Sequence, residues 1–272
     1  KSLGPHHADV AASLANLADV YRAEDMYAQA EPLHQRALAI REAVLALDDP
    51  NLATSLANLA ELYYVQGRYA QAEPLYQRAL VAGEKSLGPD HPQVALTLNG
   101  LAVVLSVQGR YEEAEPLYIR SLGIWERTLG SDHPDVATAL GNLAVMYDSQ
   151  GRYDQAEPLH RRALAIRESK LGPEHPLVAT SLENLADVCR AQGEYAEAEP
   201  LYERALAIIE RALGAEHPEV ASSLSGLARL YSDQGWLGAA EPLYEKALAI
   251  RERVLGPDHP DVATSLDSLA AL

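Results

Sequence analysis

The sequence predicts an all-α fold, a right-handed solenoid of stacked antiparallel helix pairs. Three observations predict it. The phrase Gly151-Arg152-Tyr153-Asp154-Gln155-Ala156-Glu157-Pro158-Leu159 recurs from Gly67 to Leu75 and from Gly109 to Leu117, and with small changes from Gly193 to Leu201 and from Gly235 to Leu243. Its proline sets the period: Pro32, Pro74, Pro116, Pro158, Pro200 and Pro242 stand 42 residues apart, and a period between 20 and 50 residues marks a solenoid or array. Within the unit, apolar residues recur at helical spacing and glycine and proline punctuate the ends.

A clean copy runs from Pro134 to His175. Val136, Ala137, Leu140, Leu143, Ala144 and Tyr147 fall at i, i+1, i+4, i+7, i+8 and i+11, one face of a helix A. Pro134 suits the first helical position, where its missing N–H would be unpaired anyway. Asp135 adds a favourable charge at the positive end of the dipole. The helix extends to about Gln150, and Gly151 ends it in a left-handed conformation that costs a side chain about 1–2 kcal/mol. Gly67, Gly109, Gly193 and Gly235 repeat the device, and Asp25, a side chain that tolerates the conformation, fills the slot in the first copy.

Helix B follows with Tyr153, Ala156, Leu159, Ala163, Leu164 and Ile166 and ends near Leu171, capped by Gly172 and blocked by Pro173. Pro158 lies inside it, where proline costs up to about 3 kcal/mol. Its recurrence predicts a mild bend in every helix B. At the first junction Ala46-Leu47-Asp48-Asp49-Pro50 lacks the glycine and histidine of the usual Leu-Gly-Pro-Asp-His-Pro wording. Helix B of that copy is expected to run past its usual stop.

The copies span about 8–49, 50–91, 92–133, 134–175, 176–217 and 218–259, with a partial seventh at 260–272. Stacked units share a core, so one domain is expected across 1–272. Lys1-Ser2-Leu3-Gly4-Pro5 repeats Lys85-Ser86-Leu87-Gly88-Pro89, which reads as the tail of a helix B rather than a signal peptide and suggests a fragment of a longer array. A hydrophobic fraction of 48% is ample for burial, and no apolar run approaches the roughly 20 residues of a membrane helix. The net charge of −17 argues against nucleic acid and anionic membrane surfaces as partners. The single cysteine, Cys189, excludes an internal disulfide and fits a reducing, cytoplasmic compartment.

Gly67-Arg68-Tyr69-Ala70-Gln71-Ala72-Glu73-Pro74-Leu75-Tyr76-Gln77-Arg78-Ala79-Leu80, preceded by Leu56, Leu59, Ala60 and Tyr63, resembles the tetratricopeptide repeat (TPR). The period and the linker wording resemble its longer, kinesin-light-chain-like variety, over the whole chain. The resemblance implies a TPR superhelix whose A helices line a concave groove. It implies a protein-interaction scaffold, not an enzyme, that binds a peptide or partner segment there. Two alternatives stay open: a structural spacer array with end-to-end self-association, and the sensor region of a larger signalling protein.

No serine–histidine–acid set, phosphate-cradling glycine loop or metal spacing stands out, so neither catalysis nor a cofactor is expected. His7, His91, His133, His175, His217 and His259 share one slot of the unit. Stacked layers about 8–10 Å apart cannot share a zinc ion with bonds of about 2.0–2.1 Å, so each histidine is read as hydrogen-bonding its linker to the next helix. His34 and His160 stand where other copies have Tyr76, Tyr118, Tyr202 and Tyr244, as packing variants. Cys189 is read as a small core hydrophobe. Trp236 is read as core in the place of Tyr153, and Trp125 as partly exposed on helix B, in a slot that elsewhere holds Arg41, Gly83, Arg167, Ile209 and Arg251.

Specificity is sought where the copies differ, on helix A. One slot holds Asn16, Asn58, Asn142 and Asn184, with Gly100 and Gly226 in the other copies. Such amides can pair with an extended peptide backbone, a use the resemblance also implies, or can bridge neighbouring A helices. Three residues on stand Asp19, Glu61, Val103, Val145, Asp187 and Arg229, and three further on Arg22, Tyr64, Ser106, Asp148, Arg190 and Ser232. With no lysine on helix A, a carboxylate clamp and a strongly acidic ligand are disfavoured. Leu96, Val103 and Val107 share a helix face, and with Val145 and the small Gly100 and Gly141 they predict an apolar pocket for one large side chain, a contribution of about 1.5–3 kcal/mol.

Overall fold

The computed structural model describes Gly4, residues 7–46 and residues 48–272. Except for Gly4, the Lys1–Pro5 tail lies outside the described residues, as does Leu47 of the altered junction. Thirteen α-helices and no strand occur among the described residues. The A helices are α1 (Ala8–Ala23), α3 (Pro50–Val65), α5 (Pro92–Val107), α7 (Pro134–Ser149), α9 (Pro176–Ala191), α11 (Pro218–Asp233) and α13 (Pro260–Ala270). Between them run the B helices α2 (Tyr27–Val44), α4 (Tyr69–Leu87), α6 (Tyr111–Leu129), α8 (Tyr153–Leu171), α10 (Tyr195–Leu213) and α12 (Leu237–Leu255). The architecture is an all-α helical-repeat solenoid. Two compact units carry it, Lys1–Ser131 with α1–α6 and Asp132–Leu272 with α7–α13.

Alanines let the helices of a pair approach closely. Ala137, Ala144 and Ala156, with their counterparts Ala179, Ala186 and Ala198, have no exposed surface. Larger side chains from one B helix then fill the space between two A helices: Ile208 and Ile209 of α10 pack with Val178 and Leu182 of α9 and with Val220 and Leu224 of α11. Such residues touch neighbours on both sides, which makes these adjoining copies depend on one another. Successive A helices also touch, α3 with α5, and α7 and α11 with α9.

The two turns of the unit use glycine differently. From A to B, Gly67, Gly109, Gly151, Gly193 and Gly235 have φ between 69° and 80°, and the next residue's N–H returns to the helix, as in Arg68 N to Tyr63 O at 2.8 Å. Asp25 takes the same turn at φ 57°, as the sequence predicts. From B to A, Gly88, Gly130, Gly172, Gly214 and Gly256 have φ 85–90° with ψ 152–157°, a region essentially closed to side chains. This explains the first junction. There α2 does not run on but stops at Val44, one residue early, because Leu45 must leave the helix in the ordinary extended region at φ −106° and ψ 155°.

The linker histidines are helix caps. Nδ1 of His7, His91, His133, His175, His217 and His259 accepts the backbone N–H two residues on, at 3.1–3.2 Å. Asp49 does the same for Asn51 at 2.8 Å, so the altered junction keeps its cap. The slot selects for a side-chain acceptor at a helix N-terminus. Prolines Pro32, Pro74, Pro116, Pro158, Pro200 and Pro242 all lie within continuous B helices on exposed sites.

Candidate functional site

The A-helix face is shaped from below by the B helices. Tyr76 of α4 donates its hydroxyl to Glu61 of α3 at 2.6 Å, and Tyr202 of α10 to Asp187 of α9 at 2.5 Å. These rings lie under the next A helix: a Cβ on Gly100 would sit 2.7 Å from the Tyr76 ring, and one on Gly226 2.8 Å from Tyr202. No side chain fits there. The shorter imidazoles of His34 and His160, both 1% exposed, come within 3.5 Å of Asp19 and 2.8 Å of Asp148. The copies that follow them carry Asn58 and Asn184 in the glycine slot. Tyr118, followed by Asn142, departs from this pairing in sequence.

The asparagine row is therefore partly a packing consequence. Asn58 Nδ2 lies 3.5 Å from Asp19 Oδ2, bridging α3 to α1. Asn16 is exposed, and Asn142 and Asn184 are half-buried. Of the apolar set, Leu96 and Val107 are 52% and 51% exposed, with Val103 half-buried between them on α5. Val145 is exposed on α7. The room expected at Gly100 does not exist, because the Tyr76 ring fills it. What α5 offers is a stripe whose small step is floored by an aromatic ring. Beside Gly141 the nearest atom to an added Cβ is Nη2 of Arg167, at 3.8 Å. Tyr64 packs its ring 5.9 Å from that of Tyr69.

The candidate arginines of the A helices are already engaged. Arg229 reaches Asp187 at 2.5 Å, Arg190 pairs with Asp233 and lies 3.6 Å from Asp187, and Arg22 lies 3.9 Å from Asp19. Asp187 is the hub, holding Tyr202, Arg229 and Arg190 together across α9, α10 and α11. Beside it Glu183 accepts from Ser223. Burial, with Asp187 and Glu219 nearby, pushes the Glu183 carboxyl above its ordinary range.

Three further arginines stand on helix B, outside the helix A slots in which specificity is sought. Arg41 Nη1 donates to Ser55, Arg167 Nη1 to Ser181 at 2.6 Å, and Arg251 Nη1 to Ser265 at 2.5 Å. None forms an ion pair among the described residues, and burial lowers the pKa of all three. Their slot is interior, which also corrects Trp125: it is 3% exposed, as buried as Ile209 in the same slot. Trp236 needs the opposite correction. It stands in the slot of Arg152, one residue before that of Tyr153, and is 52% exposed.

Cys189 is buried, and burial pushes its thiol up to about 11, which leaves a poor nucleophile. Its Sγ and one carboxylate oxygen each of Glu194 and Glu197 lie within 4.8 Å of one another. Using that trio for a metal would require deprotonating the thiol against burial. No helix among the described residues is long and apolar enough to cross a membrane.

Two family models, each described as tetratricopeptide repeat, match the chain. One covers residues 1–43, 51–106, 94–169, 149–209 and 177–237, the other 220–261. Among solved structures, nearly identical TPR-like repeats of a Podosopora anserina protein described as a kinesin light chain are similar at 30% identity and a TM-score of 0.65, over 75% of this chain and 97% of that one. BtubC (BKLC) from P. vanneervenii shares the fold at 24% identity and a TM-score of 0.67, over 93% of each chain. PilW, a type IV pilus biogenesis factor, shares it at 20% identity and a TM-score of 0.66, over 94% of this chain and 98% of that one. No curated protein matches the chain in sequence.

Proposed function

The chain belongs to the tetratricopeptide repeat family, and from that premise we propose that it is an interaction scaffold, holding an extended segment of a partner protein against the face lined by its A helices. The observation that carries this reading is the division of labour on α5. Leu98, Leu101, Ala102, Val104 and Leu105 are buried and build the repeat, whereas Leu96 and Val107 stand more than half exposed with Val103 between them. The stripe would take one large apolar side chain of the segment, and polar groups beside it would meet the segment's backbone. Pairing of Arg190 and Arg229 with Asp187 and Asp233 supports a ligand that is not strongly acidic.

The test begins with peptides selected by display on the intact chain. Their affinity is measured by calorimetry for the wild type, for Leu96→Asp with Val103→Asp, and for Val81→Asp, which alters an equally exposed apolar residue on α4. The reading expects the double substitution to weaken binding by about 100-fold and Val81→Asp to leave it intact. Unchanged affinity in the double variant overturns it. A mass that rises with concentration in light scattering, without any selected peptide, would favour the self-associating array.

A further inference from the structure

At the turn from helix A to helix B the molecule repeatedly builds a seat for a guanidinium. Arg68 lies 4.2 Å above the Tyr63 ring, and its Nη1 is 2.6 Å from Glu31 in the preceding copy. The Tyr63 hydroxyl is 3.3 Å from the same carboxylate. Arg110 reaches Glu73 at 2.8 Å, and Arg152 lies 4.2 Å above Tyr147.

The sixth copy keeps the seat and loses its arginine. Tyr231 donates to Glu199 at 2.7 Å, as Tyr63 does toward Glu31. In the arginine slot stands Trp236, its ring stacked on Tyr231 with centroids 5.8 Å apart. Glu31 and Glu73 hold arginines and so does Glu157, but Glu199 has no ion pair among the described residues. Glu203 also bears on Tyr231, and the two carboxylates with burial push that phenol up to about 12. Trp236 remains 52% exposed and Leu237 46%, and nothing lies within 4 Å of the position a Cβ would take on Gly238.

An open indole face beside carboxylates without a cation attracts a cation, and tryptophan is the best of the aromatic faces for one. We propose that this edge of the sixth copy is a second interaction surface, which takes an arginine side chain of a partner protein against Trp236 with Glu199 as its counter-ion. Arginine fits better than lysine because its planar head stacks on the ring while its N–H groups reach a carboxylate. Leu237 gives the aliphatic stem an apolar wall. The surface lies at a turn, so it is independent of the A-helix face.

The experiment measures the anisotropy of a fluorescein-labelled glycine-rich peptide carrying two arginines, beside versions with citrulline and with lysine. The intact chain is used as wild type, Glu199→Gln, Trp236→Arg and Glu112→Gln, each checked by circular dichroism. Trp236→Arg restores the arrangement seen at Arg68, so it fills the seat from within. The arginine peptide is expected to bind at least about 10-fold tighter than the citrulline peptide, and several-fold tighter than the lysine peptide. Glu199→Gln and Trp236→Arg should each weaken it about 10-fold, whereas Glu112→Gln, an exposed carboxylate of another copy, should not. Equal binding of the citrulline or lysine peptide, full binding to Trp236→Arg, or equal weakening by Glu112→Gln would each overturn the proposal.

Discussion

The same repeat carries surfaces of contrasting chemistry on α5 and on the pair α9–α11. Val103 and Val107 of α5 stand in the slots that hold Asp187 and Arg229, and Asp233, on the later helices. The α5 side chains are apolar and open, so a ligand that covers them only gains. On α9 and α11 the charges are tied to one another and to Tyr202 before any ligand arrives. A ligand there would first have to break existing pairs. Variation between copies thus marks two different things, an available contact and a private solution to packing and charge.

The largest expected effect breaks this contrast if it fails. Leu96→Asp with Val103→Asp should lower the affinity of a selected peptide by about 100-fold, since two apolar contacts of about 1.5–3 kcal/mol are at stake. Arg190→Gln with Arg229→Gln should change it less than about three-fold. Equal losses in calorimetry would erase the distinction.

Next in size is Gly100→Asn, expected to cost about 2–3 kcal/mol in urea unfolding by forcing a side chain onto the Tyr76 ring. Adding Tyr76→His should recover most of the loss, because that pair reproduces His34 with Asn58. Additive losses would show that ring and amide are independent.

Glu183→Gln should raise the melting temperature by about 2 °C at pH 7 and by nothing near pH 4. The folded carboxyl has a raised pKa, so its penalty is absent below the unfolded value of about 4.3 and grows as pH rises toward the folded one. A gain equal at both pH values would point to packing instead. The smallest effect belongs to Arg229→Gln alone. Its pair with Asp187 is half-exposed, so the cost should stay under about 1 kcal/mol and vanish in 1 M salt.

The helices and, apart from the end of α2, their limits were legible because they rest on local chemistry: apolar spacing, a cap, a glycine. What the sequence hid depends on neighbouring copies. Gly100 reads as space until the ring of Tyr76 is known to lie beneath it. A signal was present, since Tyr76 and Tyr202 each precede a glycine by 24 residues and His34 and His160 an asparagine. Trp125 escapes for a related reason, whereas Trp236 differs because its slot is that of Arg152 and not of Tyr153. One slot faces inward although Arg41, Arg167 and Arg251 share it, and the other, shared with Arg68, is open although a tryptophan fills it.

The junctions have a consequence for heredity. An acceptor side chain opens every A helix, and glycine closes every full copy after the first. Excising or duplicating one whole period joins ends of the same geometry, so the backbone keeps no scar. Repeat number can then change in whole units without a new backbone problem, provided the side chains at the new seam match as Tyr76 matches Gly100, while point changes on the exposed faces are kept or discarded on what they bind.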